Sequence, residues 1–324
     1  MKKKLNFIWI DDFPQRKVAA ENLAQSLDVI VEFIDVNNKD VPSVISNLIL
    51  KTNEPHLIII DHNLEEAHSG IFKKGSSVAA SIRESWPECP IVCVSAIDVN
   101  EVDSQQKMLY EEIFSADKIS SHYLKILSIA ESYQNIKDDR PTEVNGILRL
   151  LEVPLMDSRK IASIFPLHNY HDKSLAVEIS KWVRKVLIQR PGFLYDRLRL
   201  STLIGVKIES FHKVEKYFEN SKYRGVFSNL EDERWWKSES LAILFTLSDV
   251  GELPWERGRG IEGLVVEDFS ICYATSKPFP ETVAYVDQTR DATQEPVLIK
   301  ESELHPDFES ILYFDEIRLM KAAE

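Results

Sequence analysis

The chain has 324 residues, 44% of them hydrophobic and 28% charged, and carries a formal net charge of −13. That length accommodates two domains with full cores, and the composition is globular, which excludes a disordered or low-complexity polymer. The acidic excess argues against general affinity for nucleic acid or anionic membrane, and no apolar run reaches the ~20 residues that a spanning helix needs.

The opening "MKKKLNFIWIDD" has a basic head, but its apolar run is short and ends in acids, unlike a signal peptide. Cys89, Cys93 and Cys272 form neither a disulfide framework nor a zinc pattern, so a reducing, cytoplasmic setting is expected. Charge is unevenly spread: residues 1–148 carry 15 basic and 23 acidic groups, 149–200 carry 10 and 5, and 201–324 carry 14 and 24. Only the middle segment offers a basic face.

Along the first 135 residues, short Ile/Val-rich runs alternate with amphipathic stretches. The runs are "KLNFIWI", "VIVEFI", "HLIII", "IVCVS" and, more weakly, "EEIFS". Between and after them lie "PQRKVAAENLAQSL", "VPSVISNLILK", "GSSVAASIRES", "VDSQQKMLYE" and "SSHYLKILSIAESY". Continuous apolar strands alternating with helical patterns predict a five-stranded parallel sheet covered on both faces, a doubly wound α/β domain over 1–135. The polar, proline-containing segment 136–146 reads as a linker. Residues 147–324 form a second domain, helical to about residue 247 ("KSLAVEISKWVRKVLIQ", "SFHKVEKYFEN", "WWKSESLAILFTL") and then α+β, with strand-like "GLVVEDFSICYATS", "ETVAYVDQ" and "EPVLIKES".

The first strand runs straight into two adjacent acids, Asp11 and Asp12, and the third ends at Asp61. Ligands of open α/β sheets collect at the carboxyl ends of the strands, so three carboxylates converge on one sheet edge. Such a cluster repels itself unless a hard divalent cation sits among the oxygens, and Mg²⁺ is the natural occupant. Ser95 ends the fourth strand and Lys118 follows the fifth; a hydroxyl and an ammonium there suit a phosphoryl group. A carboxylate can act as nucleophile and become an aspartyl-phosphate, and Asp61 is the central one. Each of these residues alone also has an ordinary structural use, as a helix cap or a first-turn charge.

In that order and spacing, Asp11–Asp12, Asp61, Ser95 and Lys118 make residues 4 to about 134 resemble the receiver domain of two-component response regulators. The resemblance implies a flavodoxin-like fold, with Asp61 as phosphoacceptor and Ser95 and Lys118 as its partners. It also implies Mg²⁺ on Asp11, Asp12, Asp61 and the backbone carbonyl of Asn63. It further implies a histidine kinase or other phosphodonor, and a face around 102–110 and 114–123 (fourth helix, fifth strand, fifth helix) that transmits the signal to residues 147–324 or to a second protomer in a homodimer. Three departures stand out. The loop after Asp61 is lengthened by "EEAHSGIFKKG", with Glu65, Glu66, His68 and Lys73, so that Gly75 rather than Gly70 better matches the usual glycine. Ile119 replaces the proline expected after the lysine. Ser115 holds the place of the switch aromatic, with Phe114 one residue earlier.

The second domain matches no familiar pattern. Lys181, Arg184, Lys185 and Arg190 on a basic helix are the candidate nucleic-acid contacts, which would make the protein a DNA-binding regulator. Arg224, Arg234 and Trp235 in "KYRGVFSNLEDERWW" are candidate base- or phosphate-binding groups, although paired tryptophans more often fill a core. His168 and His171 carry metal-ligand spacing only on a helix, and Cys272 with His305 would form a nucleophile pair only if brought together. An effector enzyme or an adaptor in a stress or defence pathway remains the other alternative for this domain.

Overall fold

The computed structural model describes residues 4–64, 73–166, 174–190, 192–230, 232–251 and 254–270, with the backbone of 282–283 and 297–298. The chain divides into two compact units. One comprises the described residues of 1–142, 167–182 and 229–231, and the other those of 143–166, 183–228 and 232–324.

The first unit is built on β1 (Asn6–Asp11), β2 (Ile30–Asp35), β3 (Leu57–Asp61), β4 (Ile91–Ser95) and β5 (Glu112–Ser115), all parallel in the order β2-β1-β3-β4-β5. This is the flavodoxin-like doubly wound order, so the expected fold class is the one found. Helices α1 (Lys17–Leu27), α2 (Val41–Lys51), α3 (Gly75–Ser85), α4 (Ser104–Lys107) and α5 (Tyr123–Asp139) connect and follow the strands.

The strands read as unbroken apolar runs because both sheet faces are covered: every residue of β3 and β4 is buried. On one face Ile8, Ile10, Ile58, Ile60, Ile91 and Cys93 pack with Val41, Ile45 and Leu48 of α2 and Val78, Ala79 and Ile82 of α3. Strand residues between them, Phe7, Trp9, Ile59, Val92 and Val94, are buried as well and alternate to the other face. Burial of each such large side chain stabilises the sheet by about 1.5–3 kcal/mol before entropy is counted. Helix α2 starts where Asp40 accepts the Ser43 N–H at 3.2 Å, with Pro42 in the first turn.

Two elements differ from expectation. The helix predicted over "VDSQQKMLYE" is a single turn, because Asp98 and Asp103 cap two separate starts, accepting from Asn100 N and Gln105 N at 2.8 Å each. Helix α5 runs through Asn135–Asp139, into the segment read as linker, and stops where Arg140 turns left-handed at φ 34°.

A further helix, α8 (Leu175–Trp182), belongs to this unit and packs on α5. Its Ala176 N–H donates to Glu88 at 3.0 Å, and its Ser180 hydroxyl lies 3.5 Å from Glu111, which is paired with Arg83 at 3.0 Å. Past Trp182 the helical path widens into a π-turn, Val183–Ile188.

The second unit contains α6 (Val144–Leu150), α7 (Leu155–Ile164), α9 (Arg197–Leu203), α10 (Lys237–Leu247) and α11 (Pro254–Gly258). Strands β6 (Leu194–Tyr195) and β7 (Trp235–Trp236) pair antiparallel. Its core is Leu200, Ile204, Phe211, Val214, Phe218, Trp235 and Leu244. "SFHKVEKYFEN" forms two 3-10 helices, Ile208–Lys213 and Glu215–Ser221, rather than one α-helix. Of the predicted C-terminal strands, β8 (Thr282–Val283) and β9 (Val297–Leu298) form a short antiparallel pair. No helix among the described residues is long and apolar enough to cross a membrane.

Candidate functional site

Strand order brings the acids together. β1 lies between β2 and β3, so the ends of β1 and β3 meet at the centre of the sheet's carboxyl edge, where the winding direction reverses. Asp11 ends β1, Asp12 follows it, and Asp61 ends β3. One carboxylate oxygen from each lies within 4.8 Å of the others, and all three side chains are buried. Local turns aim them: Asp11 accepts the Phe13 N–H at 2.9 Å and the Trp9 indole N–H at 3.2 Å, and Asp61 accepts the Asn63 N–H at 3.1 Å.

Behind Asp61 the chain returns close to itself. Asn63 bridges to Lys74, Leu64 N–H donates to the Lys73 carbonyl at 2.9 Å, and Gly75 N–H donates to the His62 carbonyl at 2.9 Å. A Cβ on Gly75 would stand 2.1 Å from the Asp61 carbonyl oxygen and 3.1 Å from the Tyr110 hydroxyl, so only glycine fits. This makes Gly75 the glycine that faces Asp61. Gly70, Glu65, Glu66 and His68 lie outside the described residues.

The cation in this pocket is Arg16, which the strand-and-spacing reading did not single out. A 3-10 turn, Pro14–Arg16, folds the residue back over the acids, and its guanidinium pairs with Asp11 at 3.2 Å and with Asp61. The only sequence signal for it is a basic residue four positions past the acidic pair.

Burial pushes the Asp61 carboxyl up to about 7, and the Asp11 charge adds to this; Arg16 pulls the other way and does not prevail. Burial likewise raises Asp11 against the Arg16 charge. Burial alone would lower Arg16, but the charges of Asp61 and Asp11 outweigh it and hold the guanidinium above its ordinary value. Arg16 pairs with two of the three buried carboxylates, Asp11 and Asp61. Three clustered hard oxygens fit a divalent cation such as Mg²⁺. His62, buried beside Asp61, is held below the usual imidazole range by burial and secondarily by Lys74.

Ser95 is buried at the end of β4, in register with Ser115 of β5. Its hydroxyl both accepts from the Ile97 N–H and donates to the Ile97 carbonyl, each at 3.1 Å. Lys118 is exposed on the 3-10 turn Ala116–His122 that follows β5, and the cation paired with Asp61 here is Arg16. Phe114 is buried and stacks on His122 with ring centroids 5.0 Å apart.

Elsewhere the candidates disperse. Lys181, Lys185 and Arg190 are exposed, but Arg184 is buried in the π-turn, which removes it from any basic face. Trp235 is fully buried against Phe211, edge-on at 5.5 Å, and is therefore a core residue rather than a stacking platform. Arg224 is exposed and pairs with Glu219 at 3.1 Å; Arg234 donates to the Asp232 carbonyl at 2.9 Å. His168, His171, Cys272 and His305 lie outside the described residues.

No protein-family model matches the chain, and no curated protein is detectably similar to it. Solved structures that match it include response regulator TrrA from Thermotoga maritima in complex with Mg²⁺–BeF, at 18% identity, covering 38% of this chain and 99% of that one with a TM-score of 0.29. A CheY-like response regulator receiver domain from Methanospirillum hungatei matches at 9% identity, over 41% of this chain and 98% of that one, with a TM-score of 0.31. The receiver domain of a Francisella response regulator matches at 15% identity, over 40% and 98%, also with a TM-score of 0.31. What places the acids is this chain's own strand order and side-chain geometry.

Proposed function

We propose that the chain is a response regulator whose Asp61 accepts a phosphoryl group from a histidine kinase or other phosphodonor. The observation that carries this reading is the convergence of Asp11, Asp12 and Asp61 at the switch point of a 2-1-3-4-5 parallel sheet. Asp11, Asp12, Asp61 and the Asn63 carbonyl would hold Mg²⁺, which supplies charge neutralisation to the oxygens of the incoming phosphoryl group.

The Asp61 carboxylate, in its ionised form, attacks phosphorus in line. The new bond joins the carboxylate oxygen to phosphorus, and the donor's bond to phosphorus breaks with its electron pair leaving on the donor. Gly75 keeps the space behind the Asp61 carbonyl clear, so the side chain holds its aim. Ser95 then exchanges its hydrogen bond to the Ile97 carbonyl for one to a phosphoryl oxygen, drawing the 95–98 loop inward. That displacement biases a two-state equilibrium of the adjoining 102–123 surface, and the remainder of the chain is the output.

The test is direct. The full chain is incubated with a small phosphodonor and Mg²⁺, and intact mass is compared for wild type and Asp61→Ala. One phosphate-sized gain in the wild type, absent in the variant, is expected; a gain that persists in the variant overturns the assignment of the acceptor.

A further inference from the structure

We propose that Arg16 is an intramolecular competitor of the divalent cation, holding the resting pocket closed until the ion displaces its guanidinium. This rests on the phosphoacceptor reading above and adds to it a residue that the resemblance does not assign.

The geometry is specific. A single guanidinium nitrogen of Arg16 reaches both Asp11 Oδ2, at 3.2 Å, and Asp61 Oδ1. Those two residues, with Asp12, make up the carboxylate cluster whose oxygens gather within 4.8 Å. Arg16 therefore sits among the ligand oxygens of the proposed ion rather than beside them. Its side chain is only 19% exposed, and the guanidinium cannot lose its proton, so the positive charge leaves only by rotation of the side chain. Arg16 ends the short 3-10 turn Pro14–Arg16, and its guanidinium is held by ion pairs that a competing cation can replace.

Two further features fit this role. Asp11 Oδ2 also accepts from the Trp9 indole N–H, so the oxygen that Arg16 would release remains oriented after the arginine has gone. Lys118, the cation that the resemblance implies beside Asp61, is exposed on its own turn, and Arg16 is the cation paired with Asp61 here. An ion entering this site must replace two charge-assisted hydrogen bonds, whereas a pocket without the arginine offers its oxygens freely. The expected consequence is a threshold: phosphorylation starts at a higher Mg²⁺ concentration than the acids alone would require.

The experiment uses the full chain with Mg²⁺ as the probe. Mg²⁺ affinity is measured by calorimetry for wild type, Arg16→Gln and Arg16→Lys, and the Arg16 guanidinium signals are followed by nitrogen-detected NMR in the wild type. Arg16→Gln is expected to bind Mg²⁺ roughly tenfold more tightly. Arg16→Lys keeps the charge on a shorter side chain and should fall between the two. In the wild type the guanidinium signals should change from restricted to freely rotating as the ion saturates. Unchanged affinity in Arg16→Gln, or guanidinium signals that stay restricted at saturation, overturns the inference while the Asp61-dependent mass gain stands. If no protein binds Mg²⁺ and none gains phosphate, the phosphoacceptor reading itself falls and takes this inference with it.

Discussion

Each unit of this molecule sets a cation against clustered carboxylates, and the acids of the two clusters titrate in opposite directions. In the first unit Arg16 spans Asp11 and Asp61, yet both acids are raised, because their side chains are 0% and 8% exposed and desolvation dominates. In the second, Lys222 pairs with Glu215 at 3.5 Å, Glu219 at 2.9 Å and Glu233 at 2.8 Å. There Glu219 and Glu233 are lowered, chiefly by their hydrogen bonds to Lys222. Those two glutamates are about half exposed, and Arg197 and Arg224 add charge of the compensating sign. A cluster that is wet and neutralised has nothing left to bind and serves the fold. One that is dry holds its acids against desolvation, where a ligand of opposite charge would gain most.

The largest effect that would sharpen this contrast is steric. Gly75→Ala places a Cβ 2.1 Å from the Asp61 carbonyl oxygen, so the first unfolding transition should lose about 3 kcal/mol, and phosphate uptake should fall with it. Denaturant unfolding with a parallel mass measurement checks both; an unperturbed variant would mean that the backbone approach is looser than described.

Next comes the ion. At a hundredfold excess over its Kd, Mg²⁺ should raise the stability of the wild type by about 2.7 kcal/mol, and should add nothing to a protein with Asp11 and Asp12 replaced by alanine. Differential calorimetry decides. A gain of equal size in the double variant would place the ion elsewhere.

The third expectation concerns pH. Asp61 titrates near 7 in the folded protein against an ordinary value of 3.8, so between those values the folded chain keeps a proton that the unfolded chain has released. Stability of the metal-free protein therefore declines as pH rises from about 4 to 7. Asp61→Asn should remove most of that decline and leave the metal-free protein more stable at pH 8 by on the order of 2 kcal/mol. A parallel pH dependence in the variant would assign the strain to another group.

The smallest effect belongs to the second unit. Lys222→Met should cost about 1 kcal/mol or less and should shrink further in high salt, as expected for partly solvated pairs. A larger, salt-insensitive loss would show that the two clusters are less different than their exposures indicate.

Much of the first unit was readable before any coordinates. The Ile/Val runs specified buried parallel strands, because a sheet covered on both faces leaves no position for polar alternation. With five such runs the acids had to fall at one edge, and a lengthened loop after Asp61 made Gly75 a better match than Gly70. What escaped was orientation. Arg16 and Lys118 are both basic residues following a strand, and nothing local marks Arg16 as the one that turns over Asp61. Arg184 reads as part of a basic helix face, but a π-turn changes which side of the helix it occupies.

The chain alone thus determined its strands, their hydrophobic faces and the residue types available at the sheet edge, because periodicity and burial are local properties of the sequence. Tertiary structure alone decided which cation sits on the acids, which arginine is buried and how far the carboxylates are removed from water. Those depend on distances between segments far apart in the chain, and electrostatic energies change sign with the solvent that packing excludes.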